Sequence, residues 1–363
     1  MLALSRIGRA QASGKIVLGQ SAALTGAAAQ LGIQFQQGAK LWFDQFNAQG
    51  GVGGRMIEMR TLDDGYETDR CVANTRKFLE EDVFAMFGYI GTPTSQAALP
   101  LVNKAQIPFI APFTGAKILR EPGQRNVFHL RASYNDEIDV IVKQLTNLGL
   151  KKIAVFYQND AYGQSGLDGV TQSLAARDLK PVAQATVERN STNVDAAVKA
   201  LLAAAPDAII QVSVYKSCAA FIRSARKAGY GGTFYNLSGV GTQALIDELG
   251  KDAAGVVVTQ VVPSPYSSTR AIAREFADAV KKTHGDVQSN FSSMEGYLAA
   301  KLVTEGFKRA SGKTATREGL IAGIESIGRQ SFGGFDVHVT PAVHVASQFV
   351  ELSMLTGDGR VRT

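Results

Sequence analysis

The stretch Val83-Phe84-Ala85-Met86-Phe87-Gly88-Tyr89-Ile90-Gly91-Thr92-Pro93-Thr94-Ser95 decides the fold. It opens with a short apolar run, Val83–Phe87, of the length and character of a buried strand. Two glycines follow, and then a helix start. Thr92 suits an N-cap and Pro93 the first helical position, because proline lacks only an N–H that would be unpaired there anyway. A buried strand feeding directly into a helix is the repeating unit of a parallel α/β sheet. In open sheets of that kind, ligands bind where a helix begins just beyond the carboxyl end of a strand. The free N–H groups and positive dipole end there favour an anion. An ordinary cap with no ligand has an equal claim on this feature alone.

Outward from it the same unit repeats. Strand candidates are Ile16–Gly19, Met56–Leu62, Val83–Phe87, Ile107–Ala111, Lys152–Tyr157, Val182–Thr186, Ala208–Val212, Thr233–Tyr235 and Gly255–Thr259. Between them the 3.6-residue apolar period predicts helices at Ile33–Asn47, Thr68–Glu81, Ser95–Lys104, Asp136–Leu148, Gly163–Arg177, Val194–Ala203, Cys218–Ala228 and Gln243–Leu249. The alternation requires right-handed crossovers and parallel sheets covered on both faces. It recurs on both sides of residue 132, and one open sheet would need about nine strands, so two similar lobes are expected. After residue 262 the pattern changes to three helices, Arg270–Thr283, Met294–Ala310 and Arg317–Ser326, and a strand-rich tail.

The chain has 363 residues, enough for two domains or three at roughly 150 residues each. Hydrophobic residues make up 45% and charged residues 19%, an ordinary globular balance that excludes a disordered chain. No apolar run approaches the roughly 18 residues of a membrane span, so no direct membrane insertion is expected. The formal charge of +6 is spread along the chain with no basic cluster among aromatics, which argues against a nucleic-acid partner. Cys71 and Cys218 both lie in helical patterns and are expected as buried free thiols in different lobes. The four histidines never stand at metal-ligand spacing, so neither a metal nor a cofactor is expected.

Enzyme signatures are also missing. The first strand-to-helix turn, Gly19-Gln20-Ser21-Ala22-Ala23-Leu24-Thr25-Gly26, is not a dinucleotide fingerprint, and no Gly-x-Ser-x-Gly elbow occurs. Gly312-Lys313-Thr314 follows a helix and has the wrong spacing from Gly306 for a phosphate loop, so it reads as a helix-ending turn. Residues 1–14 contain Ala10-Gln11-Ala12, a small-x-small pattern like that before a signal-peptidase cut, but Arg6 and Arg9 stand where an apolar core should be. The segment is read as the remnant of a signal peptide, with a disordered N-terminus as the alternative.

A series of short motifs in order then carries a resemblance: Leu24-Thr25-Gly26; Asn47-Ala48-Gln49-Gly50-Gly51-Val52-Gly53-Gly54-Arg55; Leu62-Asp63-Asp64; Phe87-Gly88-Tyr89-Ile90-Gly91-Thr92; Ile107-Pro108-Phe109-Ile110-Ala111-Pro112; and Asp160-Ala161-Tyr162-Gly163. Together they resemble the periplasmic solute-binding proteins of the branched-chain amino-acid (Leu/Ile/Val-binding) ABC transporter family, from Lys15 to the C-terminus. The resemblance implies the type I periplasmic binding protein fold, an α/β architecture of two Rossmann-like lobes with parallel sheets joined by three crossover strands. The crossings are expected near Arg131–Tyr134, Val261–Pro265 and Gly334–Thr340. That makes residues 15–132 plus 263–334 the first lobe and 133–262 plus 335–363 the second. It further implies hinge closure around a small ligand, delivery to an inner-membrane permease with its ATPase, a monomer in the periplasm and no enzymatic activity. A ligand-sensing regulator on the same fold is the first rival, and a nucleotide-dependent α/β enzyme the second.

Site residues follow from the same resemblance. Thr92 matches the hydroxyl residue that holds the ligand carboxylate, and Tyr89 belongs to the same loop motif. Phe113-Thr114-Gly115 match the second first-lobe loop, which completes the polar end. Tyr162 matches an aromatic that packs over the ligand, with a helix-capping role as its alternative. Tyr215 matches one that reaches into the cleft, or else fills the sheet edge. Ser238 stands where amino-acid binders carry an acidic partner for the ligand ammonium, and Tyr134 replaces a second acidic position. An organic or aromatic acid is therefore expected as ligand ahead of a branched-chain amino acid, unless Asp136 or Glu137 serves an ammonium instead.

Overall fold

The computed structural model describes residues 14–310 and 315–363, so the expectations for most of the N-terminal segment and for the Gly312-Lys313-Thr314 turn lie outside the described residues. The first lobe is built on β1 (Ile16–Ala22), β2 (Ile57–Asp63), β3 (Ala85–Phe87), β4 (Phe109–Ile110) and β5 (Val127–Phe128). These form a parallel sheet in the order β2-β1-β3-β4-β5. Helices α1 (Ala29–Ala48), α2 (Thr68–Glu80) and α3 (Thr92–Ala105) make the crossovers. β5 has no counterpart among the expected strands, because its two apolar residues are too short a run to show a period.

In the second lobe α4 (Tyr134–Asn147) leads into β6 (Ile153–Gln158), α5 (Ala161–Ala175), β7 (Ala183–Val187), α6 (Asp195–Leu202), β8 (Ala208–Val212), α7 (Tyr215–Lys227), β9 (Thr233–Asn236), α8 (Thr242–Leu249) and β10 (Val257–Gln260). The central strand β8 is buried at every residue, as a strand covered on both faces must be. β7, at the sheet edge, alternates between half-buried and exposed positions up to the buried Val187. α4 begins with a capping box in which the Ser133 and Asp136 side chains each bond the other's backbone N–H.

Beyond residue 262, α9 (Ala271–Lys281), α10 (Phe291–Arg309) and α11 (Arg317–Glu325) return to the first lobe. α10 is buried almost all round against α1, and the Trp42 indole N–H donates to Thr304 Oγ1 at 2.8 Å across that contact. β11 (Gly328–Ser331) and β12 (Asp336–Val339) then pair as an antiparallel hairpin. This differs from the third crossing expected at Gly334–Thr340. Val345 lies beside His129 at the end of β5, and the chain enters the second sheet only at β13 (Glu351–Leu355), antiparallel to β10, with β14 (Val361–Arg362) outside it. The alternating Asp336-Val337-His338-Val339 reads correctly as a strand, but its partner is its own hairpin arm. Cys71 and Cys218 are buried free thiols in α2 and α7; burial pushes the Cys71 thiol up to about 12.

Candidate functional site

The carboxyl ends of the two parallel sheets face each other, and the loops that leave them converge. After β3 the chain turns through Gly91, whose φ of +92° is a left-handed conformation that glycine alone adopts freely. A Cβ on Gly91 would also sit 2.2 Å from the Tyr66 ring. Gly91, not Thr92, is the N-cap of α3, and Thr92 and Pro93 are its first two helical residues. The Thr92 hydroxyl is thereby released from capping. It meets Thr114 Oγ1 at 2.7 Å and the Tyr134 hydroxyl at 3.3 Å, all three side chains being fully buried or nearly so. Thr114 lies in the loop after β4, and its hydroxyl accepts from the Ala116 N–H at 3.1 Å. The Tyr134 N–H donates to the Gly115 carbonyl at 2.9 Å, and a Cβ on Gly115 would meet the Tyr134 ring at 2.5 Å. Thr114 and Gly115 therefore join Thr92 and Tyr134 in one cluster, while the Phe113 ring packs on Phe35 and under Arg131.

Two further predicted residues reach the cluster from the second lobe. The Tyr162 ring, at the start of α5, lies 5.3 Å from that of Tyr134, and its buried hydroxyl has no hydrogen-bond partner among the described residues. Asp160 accepts from the Tyr162 N–H at 2.9 Å, so the side chain that caps the helix is that of Asp160 and not the tyrosine. Ser238 follows β9. Its backbone N–H donates to Glu137 Oε2 at 2.8 Å and its hydroxyl to Glu137 Oε1 at 3.0 Å, and Thr259 also donates to this carboxylate. Burial pushes the Glu137 pKa up, against the pull of Arg131 and these donors. Asp136 is occupied in the capping box. Both acids that neighbour Tyr134 are thus engaged within the protein.

Tyr89 is a correction. Its side chain lies in the first-lobe core behind the sheet, with its hydroxyl 3.0 Å from Thr75 Oγ1 of α2 and its ring 5.0 Å from Phe109. Only its backbone reaches forward, where its carbonyl accepts from the Phe113 N–H. Tyr215 is buried at the start of α7 and bridges the lobes elsewhere, its hydroxyl accepting from the Gln30 N–H of α1 at 3.4 Å.

Several residues that converge here carry no sequence signal for the site. Arg131 and Glu295 form a bidentate ion pair (Nε–Oε1 2.7 Å, Nη2–Oε2 2.6 Å) with the guanidinium 4.0 Å over the Phe113 ring. Burial works against the Arg131 charge, but Glu295 outweighs it and the pKa goes up. Arg120 donates to the carbonyls of Thr114 and Ala116 and to that of Arg131, tying the polar loop to the first crossing. Tyr66, buried at a φ of +65°, accepts from Gln158 Nε2 of the other lobe at 3.3 Å. Beside it Glu67 receives Arg189 Nη2 at 3.0 Å and Asn190 Nδ2 at 2.6 Å, and Asn190 also donates to the Gly65 carbonyl. With Leu31 of α1 against Gly241, these contacts hold the two lobes together across the cleft. Among the described residues no group of His, Cys, Asp and Glu side chains could hold a metal ion, and no helix is long and apolar enough to cross a membrane.

Two α/β lobes with parallel sheets, strand ends facing and chain passing repeatedly between them, are the type I periplasmic binding protein fold. The chain belongs to the periplasmic binding protein family, whose model matches residues 15–358. It is 26% identical over 350 residues to Leu/Ile/Val-binding protein homolog 7 of Brucella abortus, covering 92% of this chain and 87% of that one. Among solved structures it is similar to one of Rhodopirellula baltica named as a possible leucine/isoleucine/valine-binding protein (32% identity, TM-score 0.91, 96% of this chain and 95% of that one). A substrate-binding periplasmic protein of Ralstonia solanacearum is similar to the same degree (32% identity, TM-score 0.89, 96% and 99% covered).

Proposed function

We propose that this chain is the extracytoplasmic receptor of an ABC importer, capturing a small carboxylate-bearing ligand between its lobes by hinge closure. The observation that carries the reading is the cluster of Thr92 and Thr114 hydroxyls at the start of α3, covered by Tyr134 and Tyr162. A helix start offers N–H groups and a positive dipole end to a carboxylate, and the two hydroxyls add donors at the same place. Residues 15–132 with 263 onward, and 133–262 with the tail from 351, move as the two bodies. The protein works in the periplasm as a monomer that catalyses no reaction and hands its ligand to a membrane permease driven by an ATPase.

An organic or aromatic acid suits the site better than an α-amino acid. Ser238 offers no charge, Asp136 caps α4, and the Glu137 carboxylate already accepts from Ser238 and Thr259. A buried ammonium left without a carboxylate is strongly unfavourable. The test is a thermal-shift screen of ligand-stripped protein against aliphatic acids, aromatic acids and amino acids. A ligand at about a hundredfold its Kd adds roughly 2.7 kcal/mol, a rise of several degrees in Tm. Shifts with organic acids and none with leucine or valine are expected. A shift with leucine or valine alone would return the site to branched-chain amino-acid capture.

A further inference from the structure

We propose that the deep end of the cleft binds an uncharged oxygen of the ligand on Arg131 Nη1, so that the ligand is a carboxylic acid carrying a keto, hydroxyl or ether oxygen remote from its carboxylate. The inference deepens the carboxylate reading above and rests on it. Between the crossing segments lies a small cavity of about 10 Å³, room for one water-sized group, lined by Phe113, Arg131, Ser238, Phe291 and Glu295 among others. Phe113 precedes Thr114 in the chain and the Ser238 hydroxyl donates to Glu137, so the cavity adjoins the polar end of the cleft. Arg131 is 1% exposed, and Glu295 takes its Nε and Nη2. Its Nη1 is buried with no hydrogen-bond partner among the described residues. A buried donor of a charged group is costly to leave unmade, and it asks for an acceptor.

Charge decides which acceptor. Glu295 already neutralises the guanidinium, and Glu137 stands near enough for each of the two groups to bias the other's protonation. A second carboxylate would therefore meet a site with no free positive charge, whereas a neutral oxygen meets a strong donor and no repulsion. An ammonium would set donor against donor. The Phe113 and Phe291 rings line the cavity, which has room for the oxygen alone.

The test is calorimetric titration of the ligand-stripped full chain with matched acids, 4-hydroxybenzoate against benzoate and 4-oxopentanoate against pentanoate. The oxygen-bearing member of at least one pair should bind about tenfold tighter, the worth of one charge-assisted hydrogen bond. In the double variant R131M/E295M, which removes both charges together and keeps the volume, the preference should fall to about twofold or less while the acids still bind. Should the double variant fail to fold, wild-type protein labelled with 15N-arginine gives the second readout: a protected side-chain N–H resonance that moves with the oxygen-bearing acid and not with its partner. Equal binding within both pairs, a preference that survives the double substitution, or an unmoved arginine resonance would overturn this inference and leave carboxylate capture standing. Binding of none of the four acids, with leucine or valine binding instead, would overturn the carboxylate reading itself.

Discussion

Replacing Glu67 with alanine tests whether the lobes close as the contacts indicate. Glu67 lies at the start of α2 in the first lobe, without a capping hydrogen bond, so its loss leaves the helix intact. What it does hold is the second lobe, through Arg189 at 3.0 Å and Asn190 at 2.6 Å. The Arg189 side chain is 24% exposed and that of Glu67 45%, so the ion pair is screened and worth about 0.2–1 kcal/mol. The Asn190 bond to the carboxylate adds about another 1 kcal/mol. Both contacts exist only when the lobes meet, so their loss falls on the ligand-bound form. The Kd should rise about eight- to thirtyfold, almost all of it through faster dissociation. Stopped-flow dissociation at low and high salt measures this, and the gap between wild type and variant should narrow as salt rises. An unchanged dissociation rate, or a loss confined to the unfolding free energy of the ligand-free protein, would refute the reasoning.

Three other outcomes follow from the packing. Gly115→Ala drives a methyl into the Tyr134 ring and backbone, where the gap is 2.5–2.6 Å, and should reduce affinity at least tenfold with fold retained; calorimetry and circular dichroism check both. Arg131→Met alone strands Glu295 in the interior and should lower stability by about 3–5 kcal/mol in urea, whereas R131M/E295M should stay within about 1 kcal/mol of wild type; equal losses would contradict this. Asp64 is held up at about 6 by burial, despite the Ser21 hydroxyl and Tyr66 N–H that it accepts. The folded form therefore binds its proton more tightly than the unfolded chain, whose value is 3.8, and wild-type stability is eroded as pH rises from 3.8 to about 6. Asp64→Asn removes that titration, so its stability relative to wild type should improve by roughly 2.4 kcal/mol between about pH 4 and about pH 7. Unfolding curves that keep a constant offset would contradict the assignment.

Most of the fold was legible because it is local. Short runs such as Ala208–Val212, mostly apolar and bounded by turn residues, read as doubly covered strands, and the helical periods between them place every crossover helix to within a few residues. What escaped depends on partners distant in sequence. Val127–Phe128 is a strand only because β4 lies beside it, and Asp336–Val339 pairs with β11 instead of crossing between lobes. At the site, residues of matching type and order came together at Thr92, Thr114, Tyr134, Tyr162 and Ser238. Tyr89 did not, since its side chain takes the core side of the sheet while its neighbours in the motif face the cleft. Arg131 and Glu295 stand 164 positions apart, and no spacing rule joins them. Glu67 and Arg189 face each other only because the lobes meet.

The central claim is capture of a carboxylate by closure of two lobes, and small-angle scattering of the ligand-stripped protein tests it most directly. The acid that gives the largest thermal shift is added at about a hundredfold its Kd. The radius of gyration should fall on adding the acid, and Thr92→Val should abolish the fall at the same acid concentration. Tight binding of the acid with no change in the radius of gyration would contradict closure, and an undiminished response in Thr92→Val would remove the carboxylate from the start of α3.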